Sequence, residues 1–203
     1  MRYLALLLIV LLASCVSLPP KLVELRTDLV QLGACQAGDA TMVATVTRVG
    51  SAYVTAKHFS DSEACSLGGL AVALRDPVDD LAVLQPGYPG ICKDAEVGES
   101  VIYLGYPGTA KNGDTLTIGT VRMETDVGLV THKNLTGRAG DIALPGIDLG
   151  SSRWVRPGYS GGAVVSARDG RIVGIINAIT GEGQTLFTPI TRVCRLIKEA
   201  ANG

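Results

Sequence analysis

The sequence is poor in aromatic residues, in charges and in histidine, and these shortages exclude several classes of function. Aromatic residues fill 4% of the 203 positions and charged residues 18%, with 18 Lys and Arg against 19 Asp and Glu. The net charge is close to zero and no basic stripe occurs along the sequence, so no nucleic-acid partner is expected. The chain has only two histidines, which excludes a multi-histidine metal site. Neither a metal ion nor a cofactor is expected.

Glycine, proline and short apolar segments dominate what is present. The chain has 25 glycines and 9 prolines, and 47% of its residues are apolar, which suits a turn-rich globular protein of one domain or two small ones. Short strands separated by dense turn signals favour an all-β barrel or sandwich. Eight strands are predicted, at residues 42–47, 53–56, 70–74, 81–84, 100–104, 115–120, 162–165 and 172–176. A C-terminal helix over 190–201 is predicted from four apolar residues on one helical face, namely Ile190, Val193, Cys194 and Ile197.

The first residues resemble an export signal. One basic residue precedes an uncharged apolar run over residues 3–18, which at 16 residues is shorter than the ~20 needed to span a bilayer and is typical of a secretory signal. Its end, Leu-Ala-Ser-Cys15, resembles a bacterial lipobox, in which the cysteine carries a lipid. We therefore expect a lipoprotein signal peptide at 1–14 and a tether at 15–33 that holds an exported domain, 34–203, to a membrane of the bacterial envelope. The alternative is an ordinary cleaved signal with a chance cysteine.

Four further cysteines lie in the expected domain, namely Cys35, Cys65, Cys92 and Cys194. An even number in an exported chain predicts two disulfides, for which three pairings are possible. Chain order alone favours Cys65–Cys92 and Cys35–Cys194, and four buried free thiols are the alternative. The absence of any Cys-x-x-Cys pair gives no support to a zinc knuckle or to thioredoxin chemistry.

Three local features carry residues that can do chemistry. His58 ends the β-rich segment Tyr-Val-Thr-Ala-Lys-His, Asp80 precedes the apolar strand Leu-Ala-Val-Leu, and Ser160 lies in the turn Pro-Gly-Tyr-Ser-Gly-Gly. A serine hydroxyl is a weak nucleophile, so acyl transfer needs a histidine base and a carboxylate that orients the base. The backbone N–H groups of Gly158 and Ser160 are the natural oxyanion donors, because flanking glycines allow an unusual turn and a close approach of substrate.

The order of these residues along the chain distinguishes two hydrolase folds. The turn Gly-Tyr-Ser-Gly-Gly also matches the Gly-x-Ser-x-Gly elbow of α/β-hydrolases, but that fold places its acid and histidine after the serine. Here both histidines precede Ser160 and only 43 residues follow it, which excludes that fold.

Asp79 is the alternative to Asp80 as the orienting carboxylate. His132 lies in a polar loop, where a surface position is expected.

The three features in this order resemble the chymotrypsin-like (trypsin-like) serine peptidases, especially the bacterial HtrA/Deg branch. Val-Thr-Ala-Lys-His58 is similar to that branch's Leu-Thr-x-x-His, and Asp80-Leu-Ala-Val-Leu to its Asp-Leu-Ala-Val-Leu. Pro-Gly-Tyr-Ser-Gly-Gly-Ala is similar to its Pro-Gly-Asn-Ser-Gly-Gly-Ala. The resemblance covers about residues 40–200 and implies a double β-barrel, over about 34–105 and 106–189, followed by the C-terminal helix.

By position, the resemblance gives each candidate residue a role. Ser160 is the expected nucleophile, His58 the general base and then acid, and Asp80 the orienting carboxylate. Trp154 lies six residues before the serine, where the family has the base of its primary specificity pocket, with core packing as the alternative. Trp154 and Asn177 are therefore expected to bind substrate.

The sequence departs from the family in ways that narrow the expected function. Tyr159 stands where animal digestive members have an aspartate that pairs with a freed N-terminus, so activation by N-terminal insertion is not expected. The chain ends soon after the last barrel, so no PDZ domain is expected. We expect an envelope-anchored serine endopeptidase that acts on protein or peptide substrates with a small or medium apolar residue before the cut. The alternatives are a catalytically silent fold that acts as a peptide-binding or assembly module, and a structural envelope lipoprotein.

Overall fold

The computed structural model describes residues 27–37, 40–61, 65–106, 109–111, 121–129, 149–151, 155, 158–179 and 185–203. These residues form two antiparallel sheets of seven strands each and two α-helices, which confirms the predicted all-β class with a helix at the end of the chain. The predictions for Cys15, the strand at 115–120, His132 and Trp154 lie outside the described residues.

The strands in chain order are β1 (Val30–Ala37), β2 (Ala40–Val49), β3 (Ala52–Ala56), β4 (Cys65–Ser66), β5 (Leu74–Asp76), β6 (Leu81–Gln85), β7 (Ser100–Gly105), β8 (Thr109–Lys111), β9 (Val121–Asp126), β10 (Gly128–Leu129), β11 (Leu149–Ser151), β12 (Ala163–Ser166), β13 (Ile172–Ile179) and β14 (Thr185–Pro189). The helices are α1 (Lys57–Ser60) and α2 (Ile190–Asn202). The first sheet has the order β4-β1-β2-β3-β6-β5, with β8 paired to β2. The second has the order β10-β11-β14-β13-β12-β7-β9.

A short hairpin in the first sheet leads to the first candidate site residue. Strands β2 and β3 are rich in valine and threonine, whose branched side chains favour a pleated surface. They are joined by a two-residue turn in which Gly50 has φ 63°, a conformation that suits a tight hairpin. Strand β3 then pairs with β6, with Ala56 opposite Leu81. This register brings the start of α1 next to the turn that precedes β6.

The boundary between the two sheets lies earlier in the chain than predicted. Strand β7, which the prediction placed at the end of the first barrel (34–105), pairs with β12 and β9 in the second sheet. Its residues Val101 and Tyr103 are fully buried in the second core, so β7 is needed there. The connection therefore lies in the turn-rich segment 86–99. Strand β1 begins at Val30, inside the segment predicted as a tether (15–33), and β8 returns to the first sheet.

Helix α2 packs where the two sheets meet. The four apolar residues predicted to share one face of α2 are all buried, and α2 runs over Ile190–Asn202, close to the predicted 190–201. They join a core cluster with residues of both sheets, including Val54 and Leu81 of the first and Ile175 of the second. In the part of the chain that the structure describes, no helix is long and apolar enough to cross a bilayer.

The cysteines form two disulfides, but the predicted pairing was wrong. Cys35 bonds Cys65, and Cys92 bonds Cys194. Strands β1 and β4 are antiparallel neighbours with Cys35 directly opposite Cys65, a tertiary relation that chain order does not reveal. The second disulfide ties the connecting segment to α2.

A buried ion pair fixes the start of the second sheet. Both oxygens of Glu99 accept hydrogen bonds from Arg171 Nη2, at 2.9 and 3.1 Å, and the Ser166 hydroxyl donates to Glu99 Oε1 at 2.6 Å. Burial alone would raise the pKa of the Glu99 carboxyl. The hydroxyl of Ser166, the backbone N–H of Glu96 and the guanidinium of Arg171 overcome this effect and hold the pKa below its ordinary value of 4.5.

We expect the two disulfides to contribute unequally to stability. Cys92 and Cys194 are 102 residues apart and Cys35 and Cys65 are 30 apart. The longer loop loses more entropy in the unfolded chain, so replacing its two cysteines by serine should cost about 1 kcal/mol more than replacing the other pair. Urea unfolding of the two double variants measures the difference. A larger loss from the Cys35 and Cys65 variant would contradict this account.

Replacing Glu99 by glutamine should destabilise the fold by about 3 kcal/mol, because the largely buried Arg171 cation would then face a neutral amide and, among the described residues, pair only with the half-exposed Asp169. The pKa of Glu99 is lower in the folded chain than in the unfolded chain. The charged form therefore stabilises the fold above pH 4.5, and this stabilisation is lost as the pH falls through the folded value. Unfolding free energies from about pH 7 to about pH 3 should fall less steeply for E99Q than for wild type. The matched control is E96Q, whose side chain is 68% exposed; a control as destabilised as E99Q would argue against the ion pair.

Candidate active site

His58 and Asp80 form a close pair in the first sheet. His58 lies in α1 directly after β3, and Asp80 ends the turn before β6. The Nδ1 atom of His58 lies 2.5 Å from Asp80 Oδ2, and the backbone N–H of His58 donates to Asp80 Oδ1 at 3.0 Å. A carboxylate can only accept, so Nδ1 carries the proton and Nε2 is left as the acceptor. The pair has the arrangement of a general base with its orienting acid.

Asp80 holds this position with an uncommon backbone. Its φ of 48° is the only positive value among the non-glycine residues that the structure describes, and aspartate tolerates this region better than most residues. Its carbonyl accepts a hydrogen bond from Lys57 N at 2.9 Å. The carboxylate is 4% exposed, whereas the His58 side chain is 28% exposed. The acid is therefore fixed inside the protein and the imidazole reaches the surface.

Asp79, the alternative candidate for the orienting carboxylate, contacts a different part of the molecule. Its carboxylate is buried and pairs with Arg192 and Arg195 of α2. The structure thus places Asp80, and not Asp79, against the histidine.

Ser160 lies in a tight turn of the second sheet, between β11 and β12. Gly158 and Gly161, on either side of it, have φ of 99° and 82°, values that favour glycine. A Cβ atom on Gly161 would lie 2.1 Å from the carbonyl oxygen of Thr45, so only glycine allows the turn to approach the first sheet this closely. The glycine-rich sequence at 158–162 is thus explained by this close contact.

Two buried threonines of β2 hold the serine turn against the first sheet. Thr45 N donates to Ser160 O at 3.0 Å, and Thr45 Oγ1 donates to Gly158 O at 2.8 Å. Thr47 Oγ1 donates to Gly161 O at 2.7 Å. The sequence analysis missed both threonines, although a polar residue at alternate positions of an otherwise apolar strand is a weak signal for such a role. They fix Ser160 relative to the pair of His58 and Asp80.

The serine hydroxyl points to a backbone carbonyl. Ser160 Oγ donates to Asn177 O at 3.4 Å, and among the described residues it makes no hydrogen bond with His58. Catalytic hydrogen bonds of this kind often tighten only when substrate binds. The structure therefore brings His58 and Asp80 into contact and places Ser160 nearby without the third link of the predicted triad.

The backbone around Ser160 presents two unused donors. The N–H groups of Gly161 and Gly162 donate to Ile176 O and Tyr159 O, both at 2.7 Å. In the part of the chain that the structure describes, the N–H groups of Gly158 and Ser160 donate to no protein acceptor. These are the two groups that the sequence assigned to the oxyanion, and they remain available for an incoming oxygen.

The side chain of Asn177, which was predicted to bind substrate, is buried inside the fold. It is 2% exposed. Its Nδ2 donates to Asp79 O at 2.5 Å and to Thr188 Oγ1 at 2.9 Å. The side chain thus supports the turn that carries Asp80, and only the backbone carbonyl of Asn177 lies beside Ser160. Trp154, the other residue predicted to bind substrate, lies outside the described residues.

Tyr159, next to the serine, is a core residue. It is 1% exposed and packs in the apolar core of the second sheet.

Within the described ranges, no group of three or more His, Cys, Asp or Glu residues is placed to hold a metal ion.

Comparison with solved structures shows the same fold in several proteases. Rv3671c of M. tuberculosis, in an inactive form, matches with a TM-score of 0.57 at 15% identity over 84% of this chain and 86% of its own. The serine endoprotease of Yersinia pestis gives 0.59 at 16% identity, over 89% and 68%. The HtrA-type protease AlgW, solved with a tripeptide, gives 0.54 at 15% identity, over 84% and 59%. No curated protein matches the chain.

The family model for the trypsin-like peptidase domain matches residues 21–175. This range includes the segments of His58, Asp80 and Ser160 and most of both sheets. The structural neighbours, which include HtrA-type proteases, have the chymotrypsin-like double β-barrel that the sequence resemblance implied. The chain belongs to the family of trypsin-like peptidase domains.

Proposed function

We propose that this protein is a serine endopeptidase that cleaves peptide bonds through an acyl-enzyme on Ser160. The observation that carries the proposal is the close pair of His58 and Asp80, with Nδ1 and Oδ2 2.5 Å apart. Beside it lies a glycine turn in which two N–H groups donate to no acceptor among the described residues. Membership of the peptidase family supports the reaction class, and the geometry supports the role of each residue.

The chemistry follows from the positions of these groups. His58 Nε2 accepts the hydroxyl proton as Ser160 Oγ attacks the scissile carbonyl carbon, and Asp80 stabilises the imidazolium that forms. The N–H groups of Gly158 and Ser160 donate to the oxyanion of the tetrahedral intermediate. His58 then gives the proton to the leaving amine, which leaves an acyl-enzyme. Water, deprotonated by the same imidazole, releases the acid and restores Ser160.

The hydroxyl must leave the Asn177 carbonyl before this reaction begins. The Ser160 Oγ to Asn177 O contact is long, at 3.4 Å, and is therefore weak. Substrate that occupies the cleft would displace this contact and favour the hydrogen bond to His58.

Substrate class is the finer part of the proposal. AlgW was solved with a tripeptide and with a decapeptide, which supports a peptide or protein substrate for this chain. We propose a small or medium apolar residue before the cut, because the indole of Trp154 at the pocket base would shorten the pocket. No acidic residue neighbours Trp154 in the sequence, so a preference for Arg or Lys is not expected. A catalytically silent, peptide-binding form of the same fold is the second candidate, favoured by the hydrogen bond of Ser160 to Asn177 instead of to His58.

A fluorophosphonate probe distinguishes the two candidates, since only an aligned serine and histidine react with it. The wild-type chain should be labelled and should cleave peptides. S160A should lose labelling and at least about 10⁴-fold in peptide cleavage, because no other group supplies the nucleophile. S66A, which changes an exposed serine on β4, is the matched control and should be labelled like wild type. A folded wild-type chain that is not labelled but binds peptide would reject the enzyme in favour of the silent form.

We further propose that the enzyme is held at the bacterial envelope by a lipid on Cys15. The support is the sequence alone, a short apolar run that ends in Leu-Ala-Ser-Cys15. Cells fed a labelled fatty acid should incorporate it into the wild-type protein and not into C15S, and the wild-type protein should sediment with membranes. Equal incorporation into both proteins would refute the anchor at this residue.

A further inference from the structure

A second buried carboxylate lies directly before the catalytic one and binds the C-terminal helix. Asp79 is 1% exposed. Its Oδ1 contacts Nη2 of Arg192, and its Oδ2 lies 3.5 Å from Nη2 of Arg195. Arg195 also lies 3.8 Å from Asp76 at the start of the same turn. The guanidinium groups of Arg192 and Arg195 therefore face the turn that precedes β6 and ends at Asp80.

The backbone of Asp79 is fixed as firmly as its side chain. Its carbonyl accepts from Asn177 Nδ2 at 2.5 Å and from Thr188 Oγ1 at 3.1 Å. Its N–H donates to Asp76 Oδ1 at 3.2 Å. The next residue, Asp80, has the positive φ that turns its carboxylate towards His58. A small rotation of the peptide at Asp79 would therefore swing Asp80 away from the imidazole.

The position of α2 is itself set by the segment that connects the two sheets. The carboxylate of Asp94 accepts from the backbone N–H of Thr191 at 2.9 Å and from its hydroxyl at 2.7 Å. The disulfide Cys92–Cys194 adds a covalent link one helical turn further on. Arg192 lies between these two attachments, so its guanidinium is presented to Asp79 from a fixed helix.

A contribution to the stability of the fold does not by itself explain the ion pair of Asp79 and Arg192. Burial raises the pKa of the Asp79 carboxyl, although Arg192 and Arg195 oppose the rise and Asp76 adds to it. The charge of Asp79 therefore remains costly inside the fold. Buried ion pairs of this kind are often no more stabilising than apolar residues of the same size. What the pair provides is a definite orientation of the turn.

We infer that Asp79 and Arg192 are positioning residues, whose ion pair holds the turn so that Asp80 presents its carboxylate to His58 Nδ1. The inference rests on the proposed serine-peptidase function for its effect on rate. Its geometric part, the contact between His58 and Asp80, can be measured without activity.

The experiment compares R192M, R192K and D79N with wild type. R192M keeps the length of the side chain and removes the charge, R192K keeps a charge, and D79N keeps the shape of the carboxylate. The matched control is K198M, which removes a charge from an exposed position of the same helix. Five quantities are measured for each variant: the rate of fluorophosphonate labelling, kcat and KM for a peptide, the deshielded proton resonance of the His58 Nδ1–H, and the unfolding midpoint.

We expect R192M and D79N to slow labelling and lower kcat by about 10- to 100-fold, because a small misplacement of a catalytic group has an effect of this size. KM should change little, since the ion pairs of Asp79 with Arg192 and Arg195 join α2 to the turn before β6 and do not involve residues 158–162. The proton resonance should move or broaden in both variants, R192K should recover part of the rate, and K198M should match wild type. A D79N/R192M double variant should lose less than the product of the two single losses, because the two residues act through one contact.

Variants with lower unfolding midpoints but wild-type resonance and labelling rates would overturn the inference and leave the pair a structural role only. If D79N does not fold, R192M and R192K decide the question, since Arg192 is at the helix surface and only partly buried. If folded wild-type protein is not labelled, the proposed function fails. The proton resonance then still tests whether Arg192 positions Asp80.

Discussion

The site depends on three hydrogen bonds between strand β2 and the turn that carries Ser160. Ser160 lies in a turn between strands of the second sheet, whereas His58 and Asp80 lie beside strands β3 and β6 of the first. Thr45 and Thr47 join the two sheets by donating to the carbonyls of Gly158, Ser160 and Gly161. Both threonines are fully buried, so a carbonyl left without its donor would have no water to replace it. The two halves of the fold are therefore held in one relative position at the point where the chemistry needs it.

The Asp79–Asp80 turn uses two adjacent carboxylates for contacts in opposite directions. The positive φ of Asp80 separates the two side chains, so that one faces the imidazole and the other faces the cations of α2. Asn177 and Thr188 of the second sheet hold the carbonyl of Asp79. The acid of the first sheet is thus supported by residues of the second sheet and of the C-terminal helix. The turn that carries Asp80 therefore has all its contacts only when both sheets and the helix are packed together.

Local sequence predicted much of the fold and of the site, and failed where distant contacts decide. Apolar segments next to turn residues predicted β3, β6, β12 and β13, and the contact of His58 with Asp80 is the one that the family resemblance implied. The disulfide pairing was wrong because it depends on the neighbour relation of β1 and β4. The role of Asn177 was missed because its amide is used inside the fold. Strand β7 was placed in the first half because its pairing with β12 is invisible to local pattern.

The two disulfides also determine how the covalent chain is closed on itself. One ring, from Cys35 to Cys65, lies within the first sheet, and the other, from Cys92 to Cys194, contains β7 to β14 and therefore the entire second sheet. A single cut in the backbone between residues 93 and 193 would leave both fragments joined through sulfur. The protein would survive such a cut as one covalently joined molecule. Its serine turn would stay linked to the rest of the molecule, and the buried strands of both fragments would remain packed together.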